Sequence, residues 1–216
     1  MVTAFVTIRM NSTRLQDKNI LPIGGRPLVW RICETLLECK RVDDIYIYCS
    51  DRIILKYVPQ SPRLYFIQRD QRLDGDEVTM HDIYDAFTTE VKSDVYVAAL
   101  ATAPFITAGS IDNGVRAITE DSYDSAFSVR RMQTFCWYDG SPVNYRLNQV
   151  PRTQVIKPLF IETCGFYAFR NEVWHRHKSR IGSNPYLVEV GHKEAIDIDT
   201  LEDYEFAQLV AANTKC

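Results

Sequence analysis

The sequence predicts an α/β chain built on a doubly wound, mostly parallel sheet. Two observations lead there. Short β-rich runs alternate with helix-periodic segments through the first 120 residues, the rhythm of strands joined by crossover helices. One run, Asp94-Val95-Tyr96-Val97-Ala98-Ala99-Leu100, is nearly all apolar, as a strand buried on both faces must be. A length of 216 residues suits one domain with a full core, and 46% hydrophobic with 25% charged residues is ordinary for a globular chain. Residues 1–216 therefore read as a single domain.

The elements follow in order. Phe5-Val6-Thr7-Ile8 is the first strand. Residues 27–39 read as a helix, because Val29, Ile32 and Leu36 share one face and Pro27 suits the first turn. Asp44 to Cys49 and Arg63 to Ile67 are the second and third strands. Residues 77–90 read as a helix anchored by Val78, Ile83 and Phe87. The fourth strand is 94–100, and Ile111, Val115 and Ile118 mark a helix at 110–120. The rhythm breaks after residue 124. Asp124 to Arg131 reads as a strand. A turn at Tyr138-Asp139-Gly140-Ser141-Pro142 leads into a return over Val143 to Leu147. Residues 148–158 are polar and irregular, and Phe160 to Phe169 resumes as a strand. The reading gives an excursion at about 132–158 that leaves the sheet, either a surface hairpin or an arm for dimerisation or for covering a site.

Charge and composition exclude several classes. A net charge of −3, from 25 basic and 28 acidic residues, gives no bulk attraction to nucleic acid or to an anionic membrane. Any anion must be gripped by a local cluster. No apolar run approaches the roughly 20 residues that span a bilayer, and the first eight residues lack a basic leader. The cysteines at 33, 39, 49, 136, 164 and 216 form no CxxC pair, and four have apolar or aromatic neighbours. That pattern reads as a reduced, cytoplasmic chain. His81, His175, His177 and His192 show no metal spacing. His175-x-His177, with Lys178 and Arg180, reads as a solvated helix face.

Two segments carry chemistry. Residues 9–19, Arg-Met-Asn-Ser-Thr-Arg-Leu-Gln-Asp-Lys-Asn, follow the first strand, where open α/β sheets bind ligands. Arg9, Arg14 and Lys18, the hydroxyls of Ser12 and Thr13, and the amides of Asn11 and Asn19 suit a triphosphate. The Walker A pattern is absent. The second segment is Ala195-Ile196-Asp197-Ile198-Asp199-Thr200. On an extended strand its two carboxylates share one side, a fitting pair for one Mg²⁺ that takes its other ligands from substrate phosphates. Thr200 to Asp203 resembles a capping box. If Asp199 only capped that helix, Asp197 would be left without a role.

These residues resemble the CMP-sugar synthetase, or acylneuraminate cytidylyltransferase, family. Its signature Arg-x-x-Ser-x-x-Leu-x-x-Lys-Asn, followed by Gly-x-Pro-Leu, is matched from Arg9 to Asn19 and at Gly25-Arg26-Pro27-Leu28. Ile-Asp-Ile-Asp-Thr matches its C-terminal metal motif. Weaker likenesses lie at Arg69 to Asp76, Thr102 to Phe105, and Cys164 to Tyr167. The resemblance implies a Rossmann-like nucleotidyltransferase with a protruding dimerisation excursion, a homodimer, and transfer of CMP from CTP to an acidic acceptor with release of pyrophosphate. It implies that Arg9, Ser12, Lys18 and Asn19 hold the triphosphate, with Lys18 and Arg9 catalytic. Arg69 and Asp76 would border the nucleotide, and Asp197 and Asp199 would bind Mg²⁺. Nucleic acid and membrane are not implied partners.

Departures bear on the acceptor. The family's glutamine and arginine around Thr-Ser-Pro-Leu become Leu100 and Ile106, its asparagine becomes Cys164, and an arginine before it becomes Ile161 or Glu162. Leu100, Ala101, Ala103, Phe105 and Ile106 are expected to form an apolar wall that rejects a heavily hydroxylated arm. Arg130, Arg131 and Arg152 are candidate partners for the acceptor's acid group. A nonulosonate or related sugar acid fits, as does a phosphonate. A catalytically silent nucleotide-binding scaffold is the other reading.

Overall fold

The computed structural model describes residues 1–213, so Cys216 lies outside the described residues. In chain order the elements are β1 (Val2–Ile8), β2 (Pro22–Ile23), β3 (Arg26–Pro27), α1 (Leu28–Glu38), β4 (Asp44–Cys49), β5 (Leu64–Gln68), α2 (Met80–Glu90) and β6 (Val95–Ala99). There follow α3 (Ala108–Thr119), β7 (Ser125–Met132), β8 (Trp137–Tyr138), β9 (Ser141–Pro142), β10 (Leu159–Arg170), α4 (Asn171–His177), β11 (Pro185–Glu189) and α5 (Leu201–Ala212). The main sheet has seven strands in the order β11-β7-β10-β6-β1-β4-β5. β1 runs parallel to β4 and β6, β4 to β5, and β7 to β11. Only β10 among them is antiparallel to its neighbours, β6 and β7. The mostly parallel α/β sheet expected from the sequence is what forms.

Alternation along the central strands divides the core in two. Ala4, Val6 and Ile8 of β1 join Val95, Val97 and Ala99 of β6 in an aliphatic layer beneath α1 and α3. Phe5 points the other way, with Tyr96 and Phe169, into an aromatic layer under α2 and α4 that includes Tyr84, Phe87 and Trp174. Phe5 stacks on Phe87 with centroids 4.2 Å apart, and Tyr84 meets Phe5 edge-on at 5.2 Å. Burial on both faces explains why these strands read as continuous apolar runs.

Helix ends are set by caps. The helix expected at 77–90 begins at Met80, because Thr79 and Asp82 form a reciprocal capping box. Thr107 caps α3, which therefore starts at Ala108. The excursion lies where expected, between β7 and β10, but its return strand is only Ser141–Pro142. Asp139 and Gly140 take left-handed φ of 48° and 71° to close the turn. Beyond it, Asn144 replaces ladder pairing: its side chain accepts from the Cys136 amide and donates to the Thr134 carbonyl.

β10 carries a bulge. Its register on β7 shifts between Glu162 and Tyr167, and Cys164 adopts a left-handed φ of 52°. The Ser128 hydroxyl fills the gap, accepting from Gly165 N at 3.1 Å, Phe166 N at 3.3 Å and Thr163 Oγ1 at 2.9 Å.

β11 precedes the Ile-Asp-Ile-Asp segment, and Asp124 anchors its entry. The Asp124 carboxylate accepts from Ser125 Oγ (2.8 Å), Ser183 N (2.8 Å) and Asn184 N (3.0 Å). Burial works to raise its pKa, but these donors outweigh it and hold the group below the usual carboxylate range. A depressed folded pKa contributes stability above the unfolded value, lost as pH falls through the folded one. Asp124→Asn is therefore expected to cost about 1–2 kcal/mol at pH 7 and to flatten the acid limb of stability. Urea melts at pH 7 and pH 3 check both.

Candidate functional site

A cavity of about 340 Å³ opens where β1 and β6 end, with lining residues from the loops after β1, β5 and β6. β1 pairs with β4 on one side and β6 on the other, so this is the switch point of the parallel sheet, where open α/β sheets bind ligands. The loop after β1 lines it with Arg9, Ser12, Thr13, Arg14, Lys18 and Asn19; Arg69 and Asp76 come from the loop after β5. All six residues expected at the nucleotide thus surround one cavity.

Their work within the protein differs. Lys18 Nζ lies 2.9 Å from Asp199 Oδ1, and Arg14 Nη1 lies 2.7 Å from Asp199 Oδ2. The Lys18 side chain is only 12% exposed, while that of Arg14 is 66% exposed. Arg9 reaches across the mouth to Asp76 at 2.7 Å. Asn19 is a brace: its Nδ2 donates to the Arg9 carbonyl at 2.9 Å. Arg69 is buried, donating to the Ile8 carbonyl at 2.9 Å and paired with Asp74. Asn19 and Arg69 therefore fix the backbone at the end of β1.

The Ile-Asp-Ile-Asp segment is not a strand. It is irregular chain with no ladder partner, and Ile198 N donates instead to the Thr102 carbonyl at 2.8 Å. The alternation has another cause: Ile198 is fully buried with Ile23, Leu28 and Phe105, and Ile196 packs against the same cluster. Asp199 does not cap α5. Thr200 does, in a capping box with Asp203. The two aspartates differ electrostatically. Burial pushes the Asp197 carboxyl above its ordinary range; the nearby Thr102 hydroxyl opposes this and the Asp199 charge adds to it. Its Oδ1 is buried without a hydrogen-bond partner. Burial also works to raise Asp199, but Lys18 and Arg14 outweigh it and hold that group low.

The expected apolar wall is only partly present. Leu100 and Ala101 line the cavity, but Ala103, Phe105 and Ile106 are buried in the core. Arg131 and Arg152 are exposed and Arg130 is half-buried, and none of the three lines the cavity. Arg180 is the residue that sequence reasoning misplaced. α4 ends at His177, Lys178 turns left-handed, and Arg180 folds back with its guanidinium 3.6 Å above the Tyr167 ring. His175 and His177 do face solvent. Cys33, Cys39, Cys49, Cys136 and Cys164 are all free thiols. Among the described residues no helix is long and apolar enough to cross a membrane.

A cationic loop facing two carboxylates, at the switch point of a mostly parallel sheet, is the layout of a nucleotide-handling α/β protein. Comparison with known proteins narrows this. The family model for cytidylyltransferase matches residues 3–210, and the chain belongs to that family. It is 21% identical over 208 residues to the N-acylneuraminate cytidylyltransferase of Streptococcus agalactiae, covering 92% of this chain and 50% of that one. It is 23% identical over 216 residues to N-acylneuraminate cytidylyltransferase A of Danio rerio, covering 96% and 50%. The chain thus spans about half the length of these relatives. A solved CMP:2-keto-3-deoxy-manno-octonic acid synthetase in complex with CTP superposes with a TM-score of 0.73 at 17% identity, covering 98% of each chain. The fold is therefore a Rossmann-like nucleotidyltransferase fold.

Removing the buried brace tests its role. Arg69→Met leaves Asp74 and the Ile8 carbonyl without their donor, and is expected to cost about 3 kcal/mol. Thermal and urea unfolding measure it.

Proposed function

We propose that the chain is a cytidylyltransferase that moves CMP from CTP to an acidic acceptor of the sugar-acid class, with release of pyrophosphate. The observation that carries this is the Lys18–Asp199–Arg14 bridge beside the bare Asp197 oxygen. Two cations and two carboxylates meet at the edge of a cavity lined by hydroxyls and backbone. A triphosphate offers the cations a better partner than Asp199, through charge-assisted hydrogen bonds.

The carboxylate pair suits Mg²⁺. Asp197 keeps a buried oxygen with no donor, and burial disfavours its charge, so a cation there compensates both. Among the described residues no group of three or more metal-type side chains is assembled. Two carboxylates suffice for Mg²⁺, which takes one or two from a protein and completes its shell with water and phosphate. Asp197 and Asp199 would hold it, and when bound it supplies neutralisation of phosphate charge.

The remaining chemistry belongs to the chain. Lys18, Arg14 and Arg9 bind the β- and γ-phosphates and stabilise the charge that grows on the leaving group. Ser12 and Thr13 donate hydroxyls. An acceptor oxygen bonds to the α-phosphorus as the bond from that phosphorus to the β-bridging oxygen breaks. Pyrophosphate carries away the electron pair, and the acceptor hydroxyl's proton passes to water.

The excursion supplies the dimer surface in this reading. Trp137, Tyr138, Leu147, Val150 and Val155 are 55–80% exposed on it, an apolar set that a second copy would cover.

Three measurements follow. Lys18→Ala is expected to lower kcat/KM for CTP roughly 10- to 150-fold, the worth of a lost charge-assisted contact, and Lys18→Arg by less. Asp197→Asn and Asp199→Asn are each expected to cut pyrophosphate release by orders of magnitude with the melting temperature preserved; near-normal Mg²⁺-dependent turnover in either would sink the metal assignment. In sedimentation velocity the wild type should run as a dimer and Leu147→Glu as a monomer.

A further inference from the structure

A second cavity, of about 230 Å³, lies beyond the first, and Met80 lines both. Its other walls include His81 and Tyr84 of α2, Trp174 of α4, Glu162 of β10, and Arg180. We propose that this cavity receives the acceptor of the cytidylyltransferase reading, on which the inference rests, and that Arg180 binds the acceptor's carboxylate.

Four observations support it. Arg180 is preset: the Tyr167 ring lies 3.6 Å below its guanidinium, and Glu162 Oε2 is 3.9 Å from Nη2, outside hydrogen-bond distance. That Glu162 oxygen is already taken by Tyr167 Oη at 2.6 Å. The guanidinium is thus held in place without its donors being consumed by Glu162, a state suited to bidentate capture of a carboxylate. Tyr84 is fully buried in the wall, and its Oη, next to the Arg180 guanidinium, is left without a well-aligned hydrogen bond. Such a group is costly unless a ligand supplies one. The cavity also lies next to the first one, with Met80 as their common wall. An acid anchored on Arg180 therefore lies beside the cavity that the nucleotide would fill.

The walls define the occupant. Trp174, stacked on His81 with centroids 5.9 Å apart, offers a flat apolar face. The volume falls below the roughly 300 Å³ where drug-sized ligand pockets begin, so the occupant is compact. Glu162 beside Arg180 disfavours a second negative charge. A singly charged carboxylate therefore fits, and a doubly charged phosphonate does not.

The test uses the whole chain. Calorimetry gives CTP affinity; saturation-transfer NMR then measures binding of 2-keto-3-deoxy-manno-octonate, N-acetylneuraminate and methylphosphonate to the wild type, Arg180→Gln and Tyr84→Phe. At least one sugar acid should bind the wild type, and methylphosphonate should not. Arg180→Gln should weaken the sugar acid at least about tenfold and leave CTP affinity within about twofold. Tyr84→Phe removes one unpaired oxygen, so its melting temperature should hold or rise while sugar-acid affinity falls severalfold, a split that a packing role would not produce. Undiminished sugar-acid binding in both variants, preferred binding of methylphosphonate, or no sugar-acid binding beside normal CTP binding overturns the inference. Failure of CTP to bind the wild type defeats the cytidylyltransferase reading instead, and Arg180-dependent binding of a sugar acid would then still establish the acid site.

Discussion

Strand β1 has neither a free edge nor a free face over most of its length. β4 and β6 hydrogen-bond to its two sides, and its side chains enter an aliphatic layer and an aromatic layer in turn. The chain leaving Ile8 can therefore emerge only into the crevice between neighbouring strand ends. The first carbonyls beyond the sheet are met by side chains: Arg69 serves Ile8 and Asn19 serves Arg9. Every cation of the loop is delivered from that fixed point. Position, more than the number of basic residues, gathers positive charge at one cavity in a chain whose net charge is −3.

Two aspartates a single residue apart have been given opposite environments. Asp199 sits between Lys18 and Arg14 and stays ionised easily; Asp197 is desolvated with one oxygen unmatched. Neighbouring carboxylates driven apart in this way mark a place where the protein withholds compensation until something else arrives. Asp199 pairs with both Lys18 and Arg14, so it ties the loop after β1 to the chain that leads into α5.

Much of this was legible in the chain. The parallel strands announce themselves because two-sided burial demands unbroken apolar runs, and the helices because one face of each meets the sheet. The loop after β1 was legible because three cations within ten residues, directly after a strand, have few structural uses. Ile196 and Ile198 misled, since period-two burial arises whenever extended chain lies over a hydrophobic cluster, with or without a ladder. Phe105 and Ile106 misled because an apolar residue near a site looks the same in sequence whether it lines the cavity or the core. Arg180 was illegible: its place depends on the left-handed turn at Lys178, and nothing local distinguishes an arginine that returns to a tyrosine from one that points to water.

The β7–β10 ribbon has one further consequence. It runs from the sheet toward the excursion, pairing Leu159 with Met132 at its outer end and Phe169 with Ser125 at its inner end. Between these ends stands the Cys164 bulge, pinned by the Ser128 hydroxyl. The pin divides the ribbon into an outer stretch that carries Glu162 and an inner one that carries Tyr167. Tyr167 donates to Glu162 across this bulge at 2.6 Å, and Glu162 lines the second cavity, so the outer ribbon and that cavity share a residue.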